Sequence, residues 1–142
     1  MEKKIAFIAN YMWGQSIKNI KDVLSEAEIS NFNINDYYYL TMIYELKNPK
    51  MSEVAEKLKL TKPAISALVK RLSKNELITK VQSEKDKRIY YLKLTGKALE
   101  IIEGDNRIYE QIFNTLVGKL DNSEIEKLDS FLEEIIKNIK TV

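Results

Sequence analysis

The sequence contains no cysteine and no histidine. Without cysteine there is no disulfide, no thiol nucleophile and no cysteine-based redox sensor. Without histidine the commonest general base and the commonest transition-metal ligand are both missing. These absences argue against most enzymes and predict that no cofactor is bound. The chain also lacks any run near the roughly 18 apolar residues that cross a bilayer. Its start, Met1-Glu2-Lys3-Lys4 followed by Ile5 to Met12, begins like a signal peptide. Asn10, Trp13-Gly14-Gln15, Lys18 and Lys21 then break the run, and no small-residue cleavage site follows. A cytoplasmic protein with no membrane partner is expected. Carboxylate chemistry stays open to 21 acidic residues, yet no group of them has the spacing of an oxygen-ligand cation site.

The 142 residues, 44% of them hydrophobic, allow one core, so a single domain over 1–142 is expected. Its organising stretch is Met51 to Arg88. Val54, Leu58, Leu60, Ile65 and Leu68, with small Ala55, form the apolar skeleton of a helix-turn-helix. The second helix, Lys62 to about Asn75, places Ile65, Leu68, Val69 and Leu72 on one stripe at i, i+3, i+4, i+7. Lys62, Ser66, Ala67, Lys70, Arg71 and Lys74 are left outside. A free face that is small near its start and cationic beyond can enter a DNA major groove. The plainer reading is a solvated lysine face.

Charge placement separates the two. From Thr61 to Lys97, ten cations meet three anions, a net +7, which leaves −5 for the rest of a chain whose total is +2. A solvated face mixes signs, whereas a concentrated basic surface is the electrostatic footprint of phosphate binding.

Around this stretch the chain reads as further helices. Ile5, Ile8, Met12, Ile17, Ile20 and Leu24 recur at near-helical spacing, with Gly14 a weak point worth about 1 kcal/mol. After a polar patch at Ser30 to Asn33, Asn35 is expected to cap a helix over Asp36 to Leu46, with Leu40, Ile43 and Leu46 as its core stripe. Tyr11, Tyr37, Tyr38 and Tyr44 form an aromatic group that fits two readings, packing in core and interface or the lining of a ligand pocket. Asn48-Pro49 ends that helix. Ser52 and Thr61 are expected to cap the two helices of the helix-turn-helix, and Pro63 is tolerated in the first turn.

Leu77 to Ser83 and Arg88 to Leu94 have β preference and are joined through Glu84-Lys85-Asp86-Lys87, a hairpin placed as a wing. Thr95 can cap a helix from about Gly96 to Lys119, with Leu99, Ile102, Ile108, Ile112, Phe113, Leu116, Val117 and Leu120 apolar and a bend expected at Gly104-Asp105-Asn106. Asp121 and Glu124 have capping-box spacing for a last helix carrying Ile125, Leu128, Leu132, Ile135, Ile136 and Ile139. Terminal segments this apolar, in so short a chain, are expected to bury against a twin.

Asp86-Lys87-Arg88 followed by Leu92-Lys93-Leu94-Thr95 carries a resemblance, which extends over essentially the whole chain, to MarR-type winged-helix transcription regulators. The resemblance implies a mainly α fold with a small β-hairpin wing. Residues 1–34 and 96–142 would be dimerisation helices and 35–95 the winged DNA-binding region. It implies that Arg88 enters the minor groove while Asp86 braces it. A carboxylate at a DNA-facing tip would be repelled unless paired with a cation, which agrees.

Where the family usually has Gly-Leu-(Ile/Val)-x-Arg, this chain has Glu76-Leu77-Ile78-Thr79-Lys80. Asn75 is therefore expected to take the left-handed turn, and Lys80 loses the bidentate geometry of arginine. The family's behaviour implies a homodimer on a near-palindromic double-stranded operator, a repressor or activator, and a small aromatic or anionic effector. Lys85 and Lys87 would meet the flanking phosphates. The alternative from the sequence is a winged helix used as a protein-binding or architectural module without sequence preference.

Overall fold

The computed structural model describes residues 1–141, the side chains of Leu116, Lys140 and Thr141 excepted. Leu116, expected on an apolar helix face, lies outside the described residues. The elements are α1 (Glu2–Val23), α2 (Glu26–Asn31), α3 (Ile34–Glu45), α4 (Met51–Lys57), α5 (Lys62–Lys74), β1 (Ile78–Gln82), β2 (Tyr90–Leu94), α6 (Gly96–Val117) and α7 (Asn122–Thr141). They fall into two compact units, Met1–Asn106 and Arg107–Val142.

The first unit is built on the expected stripe. Ile65, Leu68, Val69 and Leu72 of α5 are buried with Leu40 and Ile43 of α3, Val54 of α4, Leu92 of β2 and Ile101 of α6. Helix α1 runs through Gly14 without a break. Residues 26–31 form a helix the sequence pattern did not suggest. Ser25 accepts from the Glu28 amide while the Glu28 carboxylate accepts from the Ser25 amide, so a complete capping box stabilises six residues that carry no apolar period. The cap of α3 is Asn33 rather than Asn35, again with a reciprocal partner, Asp36. Leu46 is exposed and not part of the core, because α3 ends at Glu45 and the chain turns through left-handed Lys47 and Asn48. Helix α4 starts two residues earlier than the Ser52 cap would allow: Lys50 is the cap residue and its amide donates to the Glu53 carboxylate at 2.6 Å. Thr61 caps α5 as expected, with Pro63 in the first turn.

Helix α5 closes in a full Schellman turn. The Leu77 amide donates to the Leu72 carbonyl and the Glu76 amide to that of Ser73. The residue that turns left-handed is Glu76, at φ 56°, and not Asn75, which sits at φ −84°. The two hydrogen bonds and the burial of both Leu72 and Leu77 hold the chain there without a glycine. Thr95 sews this turn to the next helix: its hydroxyl reaches the Glu76 carbonyl at 2.7 Å and accepts from the Ala98 amide.

The wing is a two-stranded antiparallel hairpin in the register Ile78 with Leu94, Lys80 with Leu92 and Gln82 with Tyr90. Its root is tied on the other side as well. Lys50 bridges Tyr91, and the Leu92 amide donates to the Pro49 carbonyl at 2.9 Å.

No bend breaks α6 at Gly104. The glycine instead admits Asn19 of α1, whose side-chain oxygen would lie 2.2 Å from an added Cβ. The Asn19 amide donates to the Ile101 carbonyl at 2.8 Å and to the buried Asp105 carboxyl at 2.9 Å, and Tyr37 of α3 donates to that same carboxyl at 2.6 Å. In the second unit, α7 begins with the expected capping box between Asp121 and Glu124. Its Phe131, Leu132, Ile135, Ile136 and Ile139 are exposed.

Candidate nucleic-acid interface

Burying the α5 stripe leaves Lys62, Ser66, Ala67, Lys70 and Lys74 exposed on its other side. Arg71 departs from this set. Its guanidinium is ion-paired with Asp36, whose side chain is fully buried near the start of α3. The reason is register: Arg71 lies one residue from Leu72, at the margin of the buried stripe, within reach of α3.

The wing tip has the geometry that the motif implies. The Asp86 carboxylate accepts from the Arg88 Nε at 3.2 Å and Nη2 at 3.1 Å, and from the Arg88 amide at 3.0 Å. The guanidinium bonded to it holds the Asp86 carboxyl below its usual range. The Arg88 side chain is nonetheless 91% exposed. A fork held from one edge and open to solvent is pre-oriented for an electronegative groove, so less conformational entropy is lost on binding. Lys85 and Lys87 are exposed beside it.

Supports that the sequence did not single out stand behind this tip. The Gln82 amide donates to the Lys87 carbonyl at 2.7 Å and to the Tyr90 hydroxyl at 3.0 Å. The Lys80 ammonium lies 3.9 Å from the centre of the Tyr90 ring, a diagonal cross-strand contact. Only the strand register reveals these pairs, and register is not visible in a single sequence.

Helix and wing share a groove of about 420 Å³, in which Lys62 and Ser66 of α5 meet Arg88, Ile89 and Tyr90 of the wing across Lys50 and Ser52. Lys50 is a cation that the sequence reading left out, because it precedes the basic stretch. Lys97 is a cation of that stretch engaged elsewhere. It pairs with Glu28, and with Glu76 at 3.2 Å. The Lys97 bond lowers the Glu28 carboxyl to about 2, helped by the Ser25 backbone and hydroxyl, and Glu28 in turn raises Lys97.

Of the four tyrosines singled out for a pocket, Tyr37 lines a cleft. A cleft of about 160 Å³ is walled by Trp13, Ile17, Ile20, Lys21, Ile29, Phe32, Ile34 and Tyr37, with Trp13 edge-on to Tyr37 at 6.4 Å. Tyr11, Tyr38 and Tyr44 are exposed and outside its lining. Among the described residues no acidic cluster is arranged to hold a metal, and no helix is long and apolar enough to cross a membrane.

Comparison with known proteins agrees with this geometry. The MarR family model matches residues 32–90. The HTH-type transcriptional regulator BilQ of Clostridioides difficile is 26% identical over 105 residues, 74% of this chain and 70% of that protein. The regulator TcaR of Staphylococcus aureus is 29% identical over 127 residues, 87% of this chain and 81% of that one. Among solved structures, the S. aureus MepR–DNA complex superposes with a TM-score of 0.72 at 18% identity, covering 98% of this chain and 99% of that one. The match to the MarR family model spans α3 through the wing tip, the segment that carries the capped α5 helix and the Asp86–Arg88 fork.

Proposed function

We propose that this chain is a MarR-type transcriptional regulator that binds double-stranded DNA sequence-specifically, as a homodimer on a near-palindromic operator, and acts as a repressor. The observation that carries the reading is the Asp86–Arg88 fork, fully bonded on one edge and open on the other, beside an α5 face of small residues and lysines. Ser66 and Ala67 meet bases in the major groove. Lys62, Lys70, Lys74, Lys85 and Lys87 meet phosphates, and Arg88 enters the minor groove.

Dimerisation is supported by apolar residues left uncovered near both ends of the chain. Ile5, Phe7, Ile8 and Tyr11 of α1 are exposed, as is the α7 series from Phe131 to Ile139. A two-fold axis then sets the recognition helices about 34 Å apart, one turn of DNA. The cleft walled by Trp13 and Tyr37 has room for one aromatic ring, and Lys21 at its wall suits a carboxylate. We assign the small effector that releases the operator to this cleft.

Selection of bound sites from random duplex DNA, at low and at physiological salt, tests the reading. An enriched palindrome that survives salt is expected. Sequence-blind binding that disappears with salt would leave only an electrostatic face and point to an architectural or protein-binding role. A melting temperature unmoved by phenolic acids would refute the effector assignment.

A further inference from the structure

Asp36 carries two tasks with one carboxylate. One oxygen accepts from the Asn33 amide and closes the cap of α3, and the other takes the Arg71 guanidinium of α5. The next residue, Tyr37, is bonded to Asp105 of α6, which is bonded in turn to Asn19 of α1. Consecutive residues of α3 therefore hold α5 on one side and α1 with α6 on the other.

An ion pair at one point of a helix fixes what hydrophobic packing leaves soft. Ile65, Leu68, Val69 and Leu72 set the depth at which α5 sits, but apolar contact is non-directional and tolerates rotation about the helix axis. Arg71 extends from the margin of that stripe to a carboxylate whose own position is fixed by a cap. That contact sets the rotation, and with it the direction in which Ser66 and Ala67, about one turn earlier, face the DNA. Asp36 is completely buried and is shielded from any duplex.

We infer that Asp36 and Arg71 are positioning residues for the DNA-reading face: they set the rotation of α5 and make no contact with DNA. The inference rests on the operator-binding reading above and removes Arg71 from the phosphate-contacting cations. It separates sharply from a phosphate role, because each neutralised phosphate contributes about 0.9 to the slope of log affinity against log salt.

The test uses the full chain and the operator recovered from random duplex DNA, with a scrambled duplex of the same length as the control. Three variants are compared with the wild type: Asp36→Asn, Arg71→Met, and the double variant Asp36→Asn with Arg71→Gln. The double variant leaves no uncompensated buried charge, so it keeps the experiment readable if Arg71→Met fails to fold. Binding is measured well below each melting temperature, so that lost stability does not register as lost affinity.

The preference for operator over scrambled duplex is expected to fall about tenfold in Asp36→Asn, the worth of one good base contact. The salt slope of the double variant is expected to equal that of the wild type. A slope reduced by about 0.9 per protomer in the double variant would make Arg71 a phosphate contact and overturn the inference. So would an Asp36→Asn protein with undiminished operator preference. A wild-type protein with no operator preference would overturn the operator-binding reading and this inference with it.

Discussion

Replacing Gly104 by alanine tests the close approach of Asn19 of α1 to α6. In the middle of an exposed helix the change would stabilise by about 1 kcal/mol, because glycine is the poorer helix former. Here the new Cβ would stand 2.2 Å from the side-chain oxygen of Asn19 and 2.8 Å from its nitrogen. Asn19 is a short side chain and could swing aside, except that its amide is held by both the Ile101 carbonyl and the Asp105 carboxyl. Moving it breaks two partly buried hydrogen bonds, at about 1 to 2 kcal/mol each. Set against the helix gain, Gly104→Ala should destabilise by about 2 kcal/mol. In an Asn19→Ala background the obstacle is gone, and the same substitution should stabilise by up to about 1 kcal/mol. Urea unfolding followed by circular dichroism, at one fixed protein concentration, reads both differences. A glycine-to-alanine change with the same sign in both backgrounds would refute the reasoning, since the sign reversal comes only from Asn19.

Glu76→Gly should raise stability by about 1 kcal/mol, seen as a higher urea midpoint, because glycine relieves a left-handed φ. The pair lost with Lys97 is exposed on the glutamate side and offsets little of that gain. At the wing, Arg88→Ala should lower operator affinity and its salt slope. Asp86→Ala should lower affinity too, although it deletes a negative charge next to DNA, because the fork loses its brace; tighter binding by Asp86→Ala in a titration would contradict this. Glu28 titrates at about 2 in the fold against an ordinary 4.5, so its contribution is complete above about pH 4.5 and is lost as the pH falls through about 2. Thermal melts of Glu28→Gln across that window should be flatter with pH than those of the wild type.

Periodic and chemical signals in the sequence located most of the helix-turn-helix and the wing. The buried stripe of α5, the Thr61 cap, the hairpin and the Asp86–Arg88 pair all follow from spacing of two to seven residues, where local chemistry decides the outcome. Failures occurred where the deciding partner is distant or lacks a pattern. Arg71 looks like any other α5 cation until Asp36, 35 residues away, is seen to bind it. Gly104 looks like a helix breaker until Asn19 is found beside it. The short α2 has no apolar period and is started by a capping box. At Glu76 the expectation that a left-handed turn would go to asparagine yielded to position: the Schellman bonds fix which residue turns, whatever its side chain.

The wing is fastened at its base and self-contained at its tip. Leu92 is bonded across to Pro49 and fully buried, whereas from Ser83 to Ile89 the hydrogen bonds close within the loop or onto Gln82, such as Ser83 to Ile89 and Ile89 to Asp86. Substitutions at the exposed tip residues Glu84, Lys85 and Lys87 therefore cost the domain little stability. Under the DNA-binding reading proposed above, changes at those three exposed positions would retune what the tip contacts while the fastened base keeps the Asp86–Arg88 fork in place.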